Sequence, residues 1–237
     1  MDWGEDFGKG FLAAGLDPGD RRGHKNYYID LLQKMALESV LELRGDETVL
    51  DFGCGSGRLS YWIAGRVKKV VGLEVSSKMI DLAERNRSSY NVEFLLYDGI
   101  HLPVFSEPFD LILSVGVLQQ WRGVELEERV FQLGSCLKGG GRVYLIEQVS
   151  DNPKVGRPRL EEYWDAFRQA EFDCLCHYPI RSGRRWTLYL IRYGIVPKYT
   201  LDFIARDEIR RAKKKKGPIT YYLDYLFVFK KLGLEVR

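Results

Sequence analysis

Residues 49–57 constrain the fold more than any other part of the chain. A run of apolar, strand-forming residues is followed by a turn with glycines at alternate positions, Gly53, Gly55 and Gly57, and then by residues of helical character. Glycine is needed in such a turn because a side chain would keep the backbone away from a ligand and would disfavour positive φ. The spacing is one residue shorter than that of the dinucleotide-binding Gly-x-Gly-x-x-Gly, and an acid, Asp51, opens the motif. The turn therefore favours a nucleotide-like ligand other than NAD, although a tight structural connection could use the same residues.

Short β-rich runs alternate with longer segments of helical spacing along the rest of the chain. This alternation is typical of a parallel sheet covered by helices. We therefore predict a doubly wound α/β domain. The predicted strands are residues 48–52, 69–74, 92–96, 109–115, 142–149, 174–180 and 221–230. The predicted helices are residues 26–43, 58–65, 77–87, 125–137 and 160–170, with Ser76 or Ser77 as the N-cap of the third.

Composition excludes several classes of protein. The chain has 237 residues, of which 45% are hydrophobic and 29% are charged, so it can bury a full core and is neither disordered nor collagen-like. No apolar run approaches the roughly 20 residues of a membrane-spanning helix. The acidic start lacks the features of a secretory signal, and four irregularly spaced cysteines fit reduced thiols, so we expect a cytoplasmic protein without disulfides.

Basic residues concentrate between the sixth and seventh predicted strands. The whole chain has a net charge of +3, but residues 181–216 contain twelve Lys and Arg against three Asp and Glu, interleaved with aromatic residues. Ligands of parallel α/β sheets bind at the carboxyl ends of the strands, where this segment begins. We therefore expect the segment to cover the entrance of a substrate-binding site. It suits an anionic or amphiphilic substrate, a membrane surface or a nucleic acid. The structural alternative is a solvated cap whose aromatic residues pack onto the domain.

Acidic residues end the second and third predicted strands. Glu74 stands where a carboxylate can accept hydrogen bonds from both hydroxyls of a ribose. Asp98, followed by Gly99, stands where a carboxylate can accept a hydrogen bond from an adenine amino group. Either acid alone could be a solvated strand end. Together with Asp51, in this order, they indicate an adenosine-containing ligand.

At this point the chain resembles the class I S-adenosylmethionine-dependent methyltransferases, from about residue 48 to residue 149. The similar segments are residues 51–57, Glu74, residues 98–105, residues 109–112 and the glycine turn at 137–141. The resemblance implies a seven-stranded sheet of order 3-2-1-4-5-7-6, with the last strand antiparallel, and S-adenosylmethionine as the cofactor. The cofactor-binding residues that it implies are Asp51, Gly53, Cys54, Gly55, Gly57, Glu74, Val75, Asp98, Gly99, Ser114, Val115 and, from an N-terminal segment that folds over the cofactor, Tyr28.

The acceptor half of the site is less defined by the sequence. Many small-molecule members of the family have a histidine after the fourth strand, but residues 117–121 contain two glutamines, which cannot act as a general base. We therefore assign no catalytic base, and an amine or carboxylate nucleophile or a base from another segment remains open. We predict no metal site; His177, close to two cysteines on the sixth strand, is expected in the core. The predicted substrate-binding residues are Gln119, Arg184, Arg185 and Arg192.

The sequence thus predicts three regions and one main activity. Residues 1–46 form an N-terminal segment with a covering helix, residues 47–181 with 218–237 form the cofactor-binding domain, and residues 182–217 form the basic insertion. The predicted activity is methyl transfer to a small molecule or to a glycan- or lipid-linked, anionic acceptor, with peripheral membrane contact as a further expectation. An RNA or protein methyltransferase that uses the insertion, and a non-catalytic cofactor-binding subunit, stay open as alternatives. Nucleic acid is less favoured because the fourth strand lacks the Asn/Asp-Pro-Pro-aromatic sequence of enzymes that methylate an exocyclic base amine.

Overall fold

A central sheet of seven strands organises the protein, whose computed structural model describes residues 16–17, 19–20, 22–182 and 186–233. The strands are β1 (Thr48–Phe52), β2 (Lys69–Glu74), β3 (Val92–Leu96), β4 (Phe109–Val115), β5 (Leu137–Val149), β6 (Phe172–Ser182) and β7 (Leu223–Lys231). Their order in the sheet is β3-β2-β1-β4-β5-β7-β6. β7 is antiparallel to its neighbours β5 and β6, and the other neighbouring strands are parallel. The predicted fold class and strand order are therefore confirmed.

Helices cover both faces of this sheet. They are α1 (His24–Glu38), α2 (Arg58–Ala64), α3 (Ser77–Arg85), α4 (Val124–Ser135), α5 (Leu160–Gln169), α6 (Trp186–Arg192) and α7 (Leu201–Lys213). Successive residues of a strand point to opposite faces, so Val49 and Leu50 belong to two different core clusters. One cluster includes residues of α1, α2 and α7, and the other includes residues of α4 and α5. None of the helices in the described residues is long and apolar enough to cross a lipid bilayer.

The predicted element bounds are correct for the first four strands and differ elsewhere. Strands β1 to β4 have the predicted bounds, and Ser76 is the N-cap of α3, accepting a hydrogen bond from the Met79 backbone N–H. β5 begins five residues earlier than predicted, because the glycine turn itself is part of the strand. α1 ends at Glu38 instead of residue 43, where the Ser39 hydroxyl donates a hydrogen bond to the Ala36 carbonyl at 2.7 Å. Such local side-chain bonds compete with continuation of a helix.

A buried ion pair fixes α1 to the start of α2. The Arg58 guanidinium donates hydrogen bonds to Asp30 at 2.9 Å and to the Gln33 side chain at 2.6 Å. Arg58 and Asp30 are each more than nine-tenths buried as residues, and Lys34 gives the same carboxylate a second cation at 2.7 Å. Burial lowers the pKa of Arg58, and its acidic partner opposes that effect. The pair therefore links the helix before β1 to the helix that follows the glycine-rich turn.

The segment between β6 and β7 forms α6 and α7, joined through a short 3-10 turn at Lys198–Thr200. The Tyr28 hydroxyl on α1 donates a hydrogen bond to Glu208 on α7 at 2.5 Å, in the core. Below them, Arg181 and Asp224 form a second buried ion pair at 2.6 Å between β6 and β7. Because α6 and α7 leave the sheet after Ser182 and return to its partner Leu223, the whole excursion lies at the carboxyl edge of β6.

We predict that Arg58→Ala destabilises the protein by about 3 kcal/mol, because it leaves the buried Asp30 carboxylate without its main partner. Chemical unfolding in urea measures the change. Arg66→Ala is the matched control, since Arg66 pairs with Glu38 on the surface at 3.1 Å and should contribute about 1 kcal/mol or less. Equal losses in the two variants would show that burial of the Arg58 pair has no special weight.

Candidate functional site

A cleft opens at the carboxyl edge of the sheet, where the turns after β1, β2, β3 and β4 meet. This is the point at which the strand order reverses between β1 and β4, the usual ligand position in such folds. Backbone atoms of glycine turns, one carboxylate and a set of apolar and aromatic side chains form its wall. The lining residues are Gly53, Gly55, Glu74, Val75, Met79, Tyr97, Gly99, Val115, Gly116, Val117, Gln120 and Trp121.

The glycines of the first turn have different physical roles. Gly53 has a φ of +71°, and a Cβ there would lie 2.3 Å from Cγ2 of Val117, so only glycine lets the two turns approach this closely. Gly55 borders the cleft. Gly57 does not: a Cβ at that position would lie 2.7 Å from the ring of Phe94, and its role is to let α2 pack against β3. The structure thus gives Gly57 a packing role, and its predicted contact with the cofactor stays a prediction.

Among the described residues that line the cleft, Glu74 is the one with a carboxylate. It is 8% exposed, and its two oxygens accept hydrogen bonds from the backbone N–H groups of Gly55, Val75 and Ser76 at 2.9–3.0 Å. These bonds join the turn after β1 to the turn after β2. A carboxylate offers about four acceptor positions, so this one can still accept a hydrogen bond from a hydroxyl in the cleft.

Asp98 stabilises its own loop, next to the lining residues Tyr97 and Gly99. One carboxylate oxygen accepts hydrogen bonds from the backbone N–H groups of Ile100 and His101, both at 2.7 Å, and the other lies 3.1 Å from the His101 ring. These hydrogen bonds lower the pKa of Asp98 to about 2. The carboxylate is a surface group that does not belong to the cleft wall, so its predicted contact with adenine stays a prediction.

Three other predicted cofactor residues lie behind the wall. Asp51 is buried and accepts a hydrogen bond from the Ser60 hydroxyl at 2.6 Å, and burial raises the pKa of its carboxyl to about 6. Cys54 and Ser114 are also buried, at 6% and 0% exposure. Their side chains support the turns from inside the domain, and the prediction that they contact the cofactor gains no support from their position.

The side chains of Tyr28, Gln119 and Arg192 contact other parts of the domain. Tyr28 is fully buried between α1 and α7, away from the cleft wall. Gln119 is turned toward β5, where its side-chain oxygen accepts a hydrogen bond from the Gln148 N–H at 2.8 Å. The guanidinium of Arg192 binds Asp17 and the Gly19 carbonyl. Arg184 and Arg185 lie outside the described residues.

Glu147 on β5 is the most informative residue that the sequence reasoning missed. One oxygen accepts hydrogen bonds from the backbone N–H groups of Val117 and Leu118, both at 3.1 Å, and the other accepts from Gln119 at 3.0 Å. The residue is 1% exposed, and burial raises the pKa of its carboxyl to about 7 against the opposing effect of these bonds. Glu147 therefore positions the turn that contributes Val117, Gln120 and Trp121 to the cleft. A single acid inside the apolar strand 142–149 is the signal that could have identified it.

Two arginines adjoin the outer part of the cleft. Arg129 lies 5.1 Å from the ring centroid of Trp121, and Arg157 donates a hydrogen bond to the Gln119 carbonyl at 3.4 Å. Both are close to the turn after β4. They bring positive charge to the side of the cleft where the sequence predicted an acceptor.

A larger depression, of about 780 Å³, lies at the opposite edge of the sheet, around the start of β5. Four of its charged groups are already paired with one another: Lys138 with Asp110 at 2.7 Å, and Arg142 with Glu42 at 2.6 Å. It lacks the turns that expose backbone groups at the carboxyl ends of the strands. We therefore place the functional site at the smaller, carboxyl-edge cleft.

Comparison with known proteins gives a consistent family assignment. A family model described as a methyltransferase domain matches residues 49–141. An uncharacterized methyltransferase of Anoxybacillus flavithermus is 31% identical over 59% of this chain and 66% of its own length. A demethylmenaquinone methyltransferase of Thermotoga maritima is 30% identical over 78% of this chain and 75% of its own length. For other curated relatives the chain spans only about half of their length.

Solved structures of low sequence identity share the fold. Geranyl diphosphate C-methyltransferase from Streptomyces coelicolor A3(2), solved with Mg²⁺, geranyl diphosphate and S-adenosyl-L-homocysteine, superposes with a TM-score of 0.64 at 16% identity. The superposition covers 87% of this chain and 80% of that protein. At this identity the similarity concerns the fold.

We predict that Glu147→Gln changes how stability depends on pH. The folded-state pKa of Glu147 is raised to about 7 from 4.5, so between these values the folded protein binds one more proton than the unfolded chain. Stability of the wild type therefore falls as the pH rises through this window. Between about pH 5.5 and pH 8, the free energy of unfolding of the wild type should fall by about 2 kcal/mol relative to that of Glu147→Gln. Urea unfolding at the two pH values measures this difference.

Glu128→Gln, an exposed substitution on α4, serves as the control and should follow the wild type at both pH values. Parallel pH dependences for the wild type and Glu147→Gln would contradict the buried, partly protonated state of Glu147.

Proposed function

We propose that this chain, which belongs to the class I S-adenosylmethionine-dependent methyltransferases, methylates a small molecule or a glycan- or lipid-linked acceptor that carries negative charge. Enzymes of this family use S-adenosylmethionine as the methyl donor, and the family assignment rests on the matches to the Thermotoga maritima and other methyltransferases. The acceptor class is the part that we propose. The main support for this acceptor class is the cleft at the carboxyl edge, which has Glu74 on its proposed cofactor side and two arginines near its outer part.

The residues of the cleft fit the cofactor. The turns at Gly53 and Gly55 bring backbone atoms to the surface of the cleft, and Gly53 could carry no side chain without a clash. Glu74 can accept hydrogen bonds from ribose hydroxyls, and Tyr97 with Gly99 borders the position proposed for adenine. Val115 and Val117 border the position proposed for the sulfonium. When bound, S-adenosylmethionine supplies an electrophilic methyl group.

The residues of the cleft favour a mechanism in which the enzyme acts mainly by positioning the acceptor against the methyl group. Among the described residues that line it, Glu74 and Tyr97 are the two with titratable side chains. Glu74 already accepts three backbone hydrogen bonds, and burial raises the pKa of Tyr97 to about 12, so neither is suited to remove a proton at neutral pH. Holding a nucleophile in line with the methyl group, in a site that excludes water, can supply most of the acceleration of such a displacement. An acceptor atom that is already nucleophilic, such as a carboxylate or a neutral amine, meets this requirement.

Charge at the outer part of the cleft supports an anionic acceptor. Arg129 and Arg157 adjoin the turn after β4 and bring positive charge to it. In this proposal residues 47–181 and 218–237 form the cofactor-binding domain. Residues 182–217 flank it.

The acceptor class can be measured directly. The purified protein and S-adenosylmethionine with a labelled methyl group are incubated with an extract of the source cells, which is then separated into lipid, polysaccharide, nucleic acid, protein and small soluble fractions. We expect label in the lipid, polysaccharide or small-molecule fraction. We also expect this label to be lost when the extract is first passed over an anion exchanger that removes the acceptor. Label confined to protein or nucleic acid would contradict the proposed acceptor class.

We predict that Glu74→Ala weakens binding of S-adenosylmethionine by about 1.5–3 kcal/mol, about 10- to 150-fold, because a hydrogen bond to a charged acceptor is lost. Isothermal titration calorimetry measures the affinity. Glu93→Ala is the control: Glu93 is an exposed acid on the neighbouring strand β3, paired with Lys69 at 2.8 Å, and its removal should leave affinity unchanged. Unchanged affinity in Glu74→Ala, in a protein that still unfolds cooperatively, would remove Glu74 from the cofactor site.

A further inference from the structure

Six large apolar and aromatic side chains are exposed within residues 186–203, a segment whose exposed surface we call the aromatic–basic face. Their exposed fractions range from 59% to 87%. Large apolar groups usually occur singly on protein surfaces, and a clustered set marks an interaction site. The residues are Trp186, Tyr189, Tyr193, Ile195, Tyr199 and Phe203.

The exposure follows from helical spacing. Leu188 and Ile191 of α6 point into the core, whereas Trp186, Tyr189 and Tyr193, spaced three and four residues apart, share the opposite side. α7 has the same division: Leu201, Ala205 and Ala212 are buried, and Phe203, Arg206 and Arg210 form an exposed stripe. Each helix therefore packs against the core through its buried apolar residues. The exposed aromatic residues form a second apolar set that is not needed for this packing.

Positive charge surrounds these aromatic residues. Residues 186–216 contain nine Lys and Arg against three Asp and Glu. Of the three acids, Glu208 is buried and Asp207 already pairs with Arg210 and Arg211, at 2.5 Å each. Residues 213–216 are four consecutive exposed lysines. The segment that carries the exposed rings thus has a net charge of +6, nine cations against three acids.

This chemistry matches an anionic lipid surface. Helices that lie in a membrane interface combine Lys and Arg on the polar side with Trp, Phe and aliphatic residues that enter the headgroup region. A second copy of the chain is disfavoured because a two-fold contact would bring the same cations together. Basic residues beside exposed aromatic rings also bind single-stranded nucleic acid, so that occupant is tested by the competition with RNA described below.

The aromatic–basic face also adjoins the N-terminal end of α1. The Arg22 guanidinium donates a hydrogen bond to the Tyr193 carbonyl at 2.7 Å, and the amine of Lys198 lies 5.8 Å from the ring centroid of Tyr27. Gly194 packs directly against the His24 ring, since a Cβ there would lie 2.5 Å from it. These contacts connect the face to the rest of the domain as one packed surface.

We propose that the aromatic–basic face docks the protein on a bilayer that contains anionic phospholipid. Trp186 and Phe203 enter the interface, and the lysines at 214–216 interact with the headgroups. This docking is independent of which acceptor is methylated. It requires neither cofactor nor turnover, so its test stands apart from that of the proposed function.

The test is co-sedimentation of the full-length protein with vesicles of phosphatidylcholine alone or with about 30% phosphatidylglycerol. We expect binding to the anionic vesicles, at least about tenfold weaker binding to neutral ones, and loss of binding as salt is raised. Trp186→Ser with Phe203→Ser should reduce binding to anionic vesicles at least about tenfold, and Lys214→Glu with Lys216→Glu should do the same.

Matched controls are Phe131→Ser, which removes an exposed aromatic ring from α4 on the other side of the sheet, and Lys68→Glu, an exposed charge reversal before β2. Both should bind like the wild type, and all variants should keep the urea midpoint of the wild type because the side chains are exposed. As an independent measurement, brominated lipid should quench tryptophan fluorescence in the wild type and less in Trp186→Phe.

Three results would overturn the proposal. The first is equal binding to neutral and anionic vesicles, or none to either. The second is a dimer, detected by analytical ultracentrifugation, that Trp186→Ser with Phe203→Ser dissociates. The third is displacement of the protein from vesicles by single-stranded RNA at a lower concentration than by free phosphatidylglycerol vesicles.

Discussion

Glu147 holds the turn after β4 by accepting hydrogen bonds from three successive backbone N–H groups, and the shape of the cleft depends on that contact. A carboxylate in the interior is costly unless hydrogen bonds replace its water, and the turn supplies those bonds. The turn is thereby held where Val117 touches Gly53, closing the gap between β1 and β4. Glu74 connects the first turn to the second in the same way. Two buried acids thus fix three of the four turns of the wall, those after β1, β2 and β4.

Features with a local physical cause were predictable from the sequence. Strands β1 to β4 were correct in type and bounds because each is a short apolar run between turn residues. The lining positions of Gly53, Gly55, Glu74 and Gly99 were also anticipated, since each is fixed by its place at the end of a strand. The sheet order came from the resemblance to a family, because pairing between distant strands leaves no signal at a single position.

Features that depend on long-range packing were not predictable in this way. Gln120 reaches the cleft and Gln119 does not, because a 3-10 turn at Leu118–Gln120 sets which side chain faces inward. Tyr28 was predicted to bind the cofactor and Arg192 the acceptor, but their partners in the fold are distant in sequence. Tyr28 binds Glu208, and Arg192 binds Asp17 and Gly19. Likewise, no helix was predicted from the sequence at the position of α6.

The pairing of Ser182 with Leu223 has an evolutionary consequence. The chain leaves the sheet and returns to it at adjacent residues of two hydrogen-bonded strands, so the strands themselves hold the two ends of the excursion together. Replacing everything between them would therefore cost little in chain entropy and would disturb few bonds of the sheet. Such a junction is a natural site of genetic exchange, at which related chains can acquire a different attachment surface while the catalytic half of the molecule is inherited unchanged.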